Sequence, residues 1–479
     1  MNRSIRKVAV IVGLMFLALL VNLSVSYFLR TDALLNSPYN RRVQQEQFGQ
    51  ARGPIMAGNI AAAATTPSGD PRIPNIRVYA NGPMYAPVTG YYSFIYGRSR
   101  LEQDYNAELT GTSAAQSIER VIDVIAGRQP EGAIVQTTIH PRVQQAAWDA
   151  MQGRSGGVVV IDYTTGAILA YVSTPSYDPA LLSGLDYDAV EANWEALLAD
   201  PDSPLSDRAG GEVYPPGSTF KLVTTAAALE AGWAADTMVD SPDRLPLPGS
   251  DHVLTNYNDL SCGGERITIL KALKESCNTA YANIGMALGE TALRRQAEAF
   301  GFNTVVESDI WSARSRFPSG LDPATLAMSS IGQYEVAASP LQMAMVVAAI
   351  ANDGVLMEPY LVSEVRNPDL SVLSIHAKRV LKQSVTTQTA RVLQEMMIAN
   401  VADADGGATL LRVDGVTAGG KTGTAQSDPA RPPYYWFAGF AVESHIAVAV
   451  VVERTAPGDP ASASRTAGQV FKAVVEALR

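Results

Sequence analysis

The stretch Tyr214-Pro215-Pro216-Gly217-Ser218-Thr219-Phe220-Lys221 passes from a turn into a helix. Proline and glycine punctuate its start, and apolar residues then recur at Phe220, Val223, Ala227 and Leu229, so the spacing predicts a helix beginning near Ser218. Residues three apart on a helix share a face, which sets the Lys221 amine beside the Ser218 hydroxyl. A serine hydroxyl is a poor nucleophile until a base removes its proton, and a lysine serves as that base only where burial or a neighbouring cation lowers its pKa. Placing Ser218 at a helix start also aims positive backbone dipoles at a developing anion. The four-residue S-x-x-K pattern is weak alone, since Ser4 to Lys7 satisfies it too.

Outward from this helix the pattern changes twice. Gly156 to Ser173 holds two apolar, β-rich runs around Tyr163-Thr164-Thr165-Gly166, which reads as a hairpin. Helical patterns follow over Ile269 to Leu288 and Pro340 to Ala351. Then Ala438 to Ala441 and Ile446 to Val452 read as strands, and Ala467 to Leu478 as a closing helix. Strands first and last with helices between predict an α+β domain over 151–479 whose sheet is completed by both ends.

Two further motifs lie in this domain. Ser276-Cys277-Asn278 is an S-x-N inside a helical pattern, where Ser276 and Asn278 reach one cleft only if the helix breaks or two helices meet. Lys421-Thr422-Gly423-Thr424 reads as a strand whose bare Gly423 lets a substrate backbone approach. Gly415 to Thr422 also fits the phosphate-loop pattern, but that loop needs a helix directly after its Lys-Thr. Gly423, Pro429, Pro432 and Pro433 stand there instead, and the nucleotide reading is set aside.

The order S-x-x-K, S-x-N, K-T-G, with spacings of 58 and 145 residues, resembles the penicillin-recognising serine acyltransferases. Ile331-Gly332-Gln333 and Ser339-Pro340-Leu341-Gln342-Met343-Ala344 are similar to a stretch between that family's second and third motifs. Arg52-Gly53-Pro54-Ile55 resembles the R-G-x-I of the N-terminal module of class B penicillin-binding proteins, although Met56-Ala57-Gly58-Asn59 replaces the usual D-R-N-G. Leu101-Glu102, following Thr89-Gly90-Tyr91-Tyr92-Ser93, is similar to the actinobacterial branch of that class.

The resemblance implies an α+β transpeptidase fold, an antiparallel sheet flanked by helices plus an all-helical subdomain. A smaller N-terminal α+β module and an N-terminal membrane helix precede it. It also implies a D,D-transpeptidase that cross-links peptidoglycan stem peptides and is acylated by β-lactams. Ser218 is then the nucleophile, Lys221 its base, and Ser276 with Lys421 the proton route to the leaving amine. Asn278 binds the donor's amide backbone, and Thr422, Gly423 and Thr424 line the grip on its terminal carboxylate. Backbone N–H groups of Ser218 and Thr424 form the oxyanion hole, and neither a cofactor nor a metal is required. Division-machinery proteins and a lipid-linked glycan polymerase are the partners implied at family level. A D,D-carboxypeptidase or β-lactamase, and a silent scaffold or β-lactam sensor, are the alternatives.

Composition sets the outer bounds. The 479 residues, 47% hydrophobic and 18% charged, suit two or three folded units. A net charge of −10 argues against a nucleic-acid partner. Arg3, Arg6 and Lys7 precede an uncharged run from Val8 to Leu29, read as a signal-anchor (8–29) after a cytoplasmic tail (1–7). Asp32 to Gln50 reads as a polar spacer, and 30–150 as an extracytoplasmic module with a helical stretch near Ile118 to Ile125. Cys262 and Cys277 have no metal-site spacing and are either a disulfide or two buried thiols.

Overall fold

Continuous apolar runs dominate both ends of residues 151–479, and they meet in one sheet. The computed structural model describes residues 3–29, 48–116, 125, 131–306, 308–426, 432–454 and 463–479. The expected spacer up to residue 47, and the expected helical stretch before Ile125, lie outside them. In chain order the elements used below begin with α1 (Arg3–Leu29), β1 (Ile55–Ala57), β2 (Ile60–Asp70), β3 (Ile73–Tyr79), β4 (Ile134–Thr137) and α2 (Pro141–Ala150). Then come β5 (Ser155–Asp162), β6 (Ile168–Thr174), α3 (Lys221–Glu230), α4 (Ile269–Lys274), α5 (Asn278–Leu288) and α6 (Pro340–Ala351). The last are β7 (Val362–Arg366), β8 (Val372–Ile375), α7 (Thr387–Ala402), β9 (Ala418–Ala425), β10 (Tyr434–Ala441), β11 (Ile446–Arg454) and α8 (Ala463–Ala477).

The central sheet runs β9-β10-β11-β5-β6, antiparallel throughout. Alternate side chains of a strand face opposite ways. Accordingly Val158 and Val160 join a cluster with Phe437, Val448 and Val450, under α2 and α8. Val159 and Ile161 face the other way, into the larger core shared with α6. Helix α8 buries Ala467, Val470, Phe471, Val474 and Val475, the i, i+3, i+4, i+7, i+8 stripe that seats a helix on a sheet. Helix α6 is buried along nearly its whole length, which explains why its sequence is apolar all round. With both faces covered, β5 and β11 read as continuous apolar runs.

A second sheet runs β8-β7-β4-β1-β2-β3, so two strands from beyond residue 360 join strands from the N-terminal module. Its core ion cluster is Glu102, fully buried between Arg52 (2.7 Å) and Arg77 (2.6 Å). Two compact units are distinguished, residues 1–51 with 65–76, and residues 52–64 with 77–479. In the first, α1 contains the segment Arg6–Val25, of mean hydropathy 2.7, long and apolar enough to cross a membrane.

Candidate active site

Ser218 lies in a 3₁₀ turn, Gly217–Thr219, from which α3 departs at Lys221. The helix anticipated from Ser218 therefore opens with a tighter turn, frequent at helix N-termini. Gly217 has φ 52, a left-handed conformation that glycine adopts without strain. A β-carbon there would stand 2.7 Å from Thr424 O, which shows how closely the turn is pressed against β9. Three bonds fix it: Gly217 N donates to Gly332 O (2.9 Å), Tyr214 N to Ala338 O (2.9 Å), and Trp436 Nε1 to Pro215 O (2.9 Å). Ser218 itself is half-buried, and Lys221 is fully buried one turn further on.

The helical pattern from Ile269 to Leu288 breaks in two. Helix α4 ends at Lys274 in a Schellman motif: Cys277 N donates to Ala272 O (2.9 Å) and Ser276 N to Leu273 O (3.2 Å). This motif demands a left-handed residue, and Ser276 supplies it with φ 54. Helix α5 then starts at Asn278, capped from a distance: Asn256 Oδ1 accepts from Asn278 N (2.8 Å) and Thr279 N (3.1 Å). Cys277 is joined to Cys262 in a disulfide, the first of the two readings of that pair.

The break lets Ser276 and Asn278 face the same amine. Lys221 Nζ donates to Ser276 O (2.6 Å) and Asn278 Oδ1 (2.8 Å), and lies 3.4 Å from Ser276 Oγ. From the opposite side Lys421 Nζ donates to Ser276 Oγ (2.8 Å) and to Thr422 O (3.0 Å). Lys421 sits on β9, the edge strand of the central sheet, and not on a phosphate loop. Thr422 and Thr424 alternate with the buried Lys421 and Gly423 along it, half-buried themselves.

Two buried ammonium groups around one hydroxyl change the proton affinities. Burial holds Lys221 well below the ordinary lysine range, with the charge of Lys421 as second cause. Burial pushes Lys421 down to about 7. Burial that disfavours the charged form favours the neutral amine, the form that can accept a proton from a serine.

Of the residues singled out from sequence, Lys221 contacts Ser276 and Asn278, and Lys421 contacts Ser276. The turn carrying Ser218 meets them through the Gly217–Thr424 approach and through the first turn of α3. Sequence reasoning missed Asn256 and Trp436, whose partners lie 22 and 221 residues away, and gave Gly332 no role. Nothing local marks the first two. The third lies in Ile331-Gly332-Gln333, where the residue type is the signal, since glycine adopts its φ of 74 without strain.

An S-x-x-K turn seated on the edge strand of such a sheet, beside the S-x-N and K-T-G segments, is the arrangement that the resemblance to penicillin-recognising acyltransferases implies. Residues 156–476 match the penicillin binding protein transpeptidase domain, and residues 52–135 the penicillin binding protein A dimerisation domain. The chain belongs to the penicillin-binding protein transpeptidase family. It is 41% identical over 491 residues to peptidoglycan D,D-transpeptidase PbpA of Mycolicibacterium smegmatis, covering 100% of this chain and 99% of the relative. Identity to the PbpA of Mycobacterium tuberculosis is 39%, with the same coverage. The M. tuberculosis penicillin-binding protein A structure with ceftriaxone as an acyl-enzyme superposes with TM-score 0.85, over 90% of this chain and 99% of that one. Its penicillin G acyl-enzyme complex gives 0.83, over 89% and 99%, each at 39% identity.

Proposed function

We propose that this chain is a peptidoglycan D,D-transpeptidase working through an acyl-enzyme at Ser218, and that β-lactams inhibit it at the same residue. Ser218 Oγ attacks the carbonyl carbon of the penultimate D-Ala while its proton passes to Lys221 Nζ. The oxyanion forms against the backbone N–H groups of Ser218 and Thr424, donors typically worth ~10²- to 10³-fold each. The C–N bond then breaks, and the departing D-Ala nitrogen takes a proton through Ser276 Oγ, which Lys421 and Lys221 resupply. Asn278 holds the donor's amide, and Thr422, Gly423 and Thr424 its carboxylate beside Lys421. An amine of a second stem peptide resolves the ester and returns the serine. The observation that carries this reading is the relay itself: Lys421 Nζ 2.8 Å from Ser276 Oγ, and Lys221 Nζ 3.4 Å from the same oxygen.

The membrane anchor is read as 8–29, after a cytoplasmic tail at 1–7. The extracytoplasmic part comprises a module at 30–150 and the transpeptidase domain at 151–479. A single-pass topology of this kind holds the catalytic domain beside its polymer. Division-machinery proteins and a lipid-linked glycan polymerase are the partners implied at family level.

The decisive experiment is labelling with a fluorescent penicillin. Ser218→Ala abolishes the adduct, and an adduct surviving at another residue overturns the assignment. Lys221→Ala leaves the fold intact and slows acylation ~10²-fold or more if it is the base. Product analysis with a donor peptide and an added amine separates transfer from hydrolysis, the outcome that a carboxypeptidase or β-lactamase gives.

A further inference from the structure

The Lys421–Ser276 contact joins elements 145 residues apart, yet it holds at 2.8 Å. Helix α7 and the loop after it touch both elements without containing a residue of the relay. Asn400, in the last turn of α7, is fully buried. Its Nδ2 donates to Gly420 O (2.8 Å), the residue directly before Lys421, and its Oδ1 accepts from Gly407 N (2.9 Å). A buried amide is costly unless donor and acceptor are both satisfied, and here both are.

The same loop turns back on α4. Lys274, the last residue of that helix and two before Ser276, donates to Asp403 (2.9 Å) and to Asp405. Its side chain is 9% exposed. Two glycines let the loop lie against both anchor points. A β-carbon on Gly407 would stand 2.5 Å from Lys274 O, and one on Gly406 would stand 2.2 Å from Asn400 O. The loop thus forms a clasp, from Ser276 through Lys274, Asp403 and Asp405 to Gly407, Asn400, Gly420 and Lys421.

We propose that Asn400 and Lys274 are positioning residues for acylation, which lock the edge strand bearing Lys421 to the helix end bearing Ser276 and so hold the relay contact. They touch no substrate and act through the two groups they place. The proposal rests on the transpeptidase reading above.

The test is acylation by a fluorescent penicillin, with the saturating rate and the non-covalent affinity measured separately. Lys274→Met lowers the saturating rate about tenfold and leaves the affinity within about twofold, because Lys274 anchors the helix end bearing Ser276 and not β9, which carries the carboxylate grip. Lys274→Arg, which keeps the ion pairs, restores the rate to within about twofold. In a Lys421→Ala background the Lys274→Met penalty shrinks to under about twofold, since the contact being positioned is already gone. Asn400→Ala lowers the saturating rate likewise; if it fails to fold, the Lys274 series decides alone. A penalty that adds in full to that of Lys421→Ala, an equal loss of rate and affinity, or wild-type rates in Lys274→Met overturns the inference. A wild-type chain that never acylates Ser218 overturns the transpeptidase reading and this one with it, whereas additive penalties in an acylating chain overturn this one only.

Discussion

At Ser276 the backbone is left-handed because α4 ends in a motif whose closing residue is usually glycine. For an L-residue that conformation costs roughly 1 to 2 kcal/mol. The hydroxyl that Lys421 and Lys221 share is the reason to keep a serine there. Ser276→Gly and Ser276→Ala both delete it, and acylation slows in each. Their stabilities separate in the order opposite to helix propensity: the glycine variant is more stable than the alanine variant by about 1 kcal/mol, read from denaturant midpoints. The two lysines make a second prediction at this scale. An unfolded lysine titrates near about 10.4, and folding brings Lys421 to about 7. Between those values the unfolded chain binds more protons than the folded one, so stability rises with pH. The penalty of the buried charge is complete below the folded value and gone above the unfolded one. Lys221, displaced the same way by burial and by Lys421, adds to the slope. Thermal midpoints measured from pH 7 to 9 therefore climb, and Lys421→Met flattens the climb.

Among elements, the contact that matters is the 3₁₀ turn against β9. A methyl on Gly423 would stand 3.0 Å from both Pro216 O and Thr219 Cγ2, and 3.1 Å from Trp436 Cβ. Since the turn is held by Gly332, Ala338 and Trp436, it is the strand that must retreat. Gly423→Ala then costs about 1 to 3 kcal/mol as an overpacked contact. Penicillin acylation drops about tenfold or more, because β9 carries Lys421 and Thr424, whose backbone N–H is the oxyanion donor proposed above. How much of this was legible follows from where each signal resides. Helix α6 and strands β5, β10 and β11 are written in local apolar runs and appear where those runs lie, although β10 begins at Tyr434, four residues before the expected Ala438. The break between α4 and α5 is not, since the apolar pattern runs through it and no glycine or proline marks Ser276. Its cause is tertiary: Asn256 caps α5 from another loop, and a distant cap leaves no trace in the helix it caps. The same holds at the site. Motif spacing singles out Lys221, Ser276, Asn278 and Lys421, whereas Asn400 and Trp436 act through hydrogen bonds to backbone carbonyls, which any residue could provide.

On the scale of the whole molecule, the N-terminal module and the catalytic domain are tied through the sheet β8-β7-β4-β1-β2-β3, where β7 and β8 come from between α6 and α7. Thr138 N donates to Leu361 O (2.7 Å), Gln144 Nε2 to Met84 O (2.9 Å) and Tyr171 O (3.0 Å), and Arg100 pairs with Asp207 (3.1 Å). The centre of the module is Glu102, buried with Arg52 and Arg77, which gives the Arg52 of the R-G-x-I resemblance a structural role. Burial works against ionisation of Glu102, yet the charges and hydrogen bonds of Arg77 and Arg52 outweigh it and hold the carboxyl below its ordinary range. Glu102→Gln removes the carboxylate charge with which both buried guanidiniums pair, a loss of about 3 to 5 kcal/mol for a broken buried pair. Because the sheet is shared, the lowered stability appears as one calorimetric transition moved down in temperature. A separate early transition for the module, with the catalytic domain melting as before, would show the two to be independent. The acid side gives the complementary reading. A carboxyl whose folded pKa is depressed contributes stability above its unfolded value of about 4.3 and loses it as pH falls towards the folded one. The wild-type midpoint therefore falls steeply below about pH 4, and the Glu102→Gln midpoint, already low, falls less over the same interval.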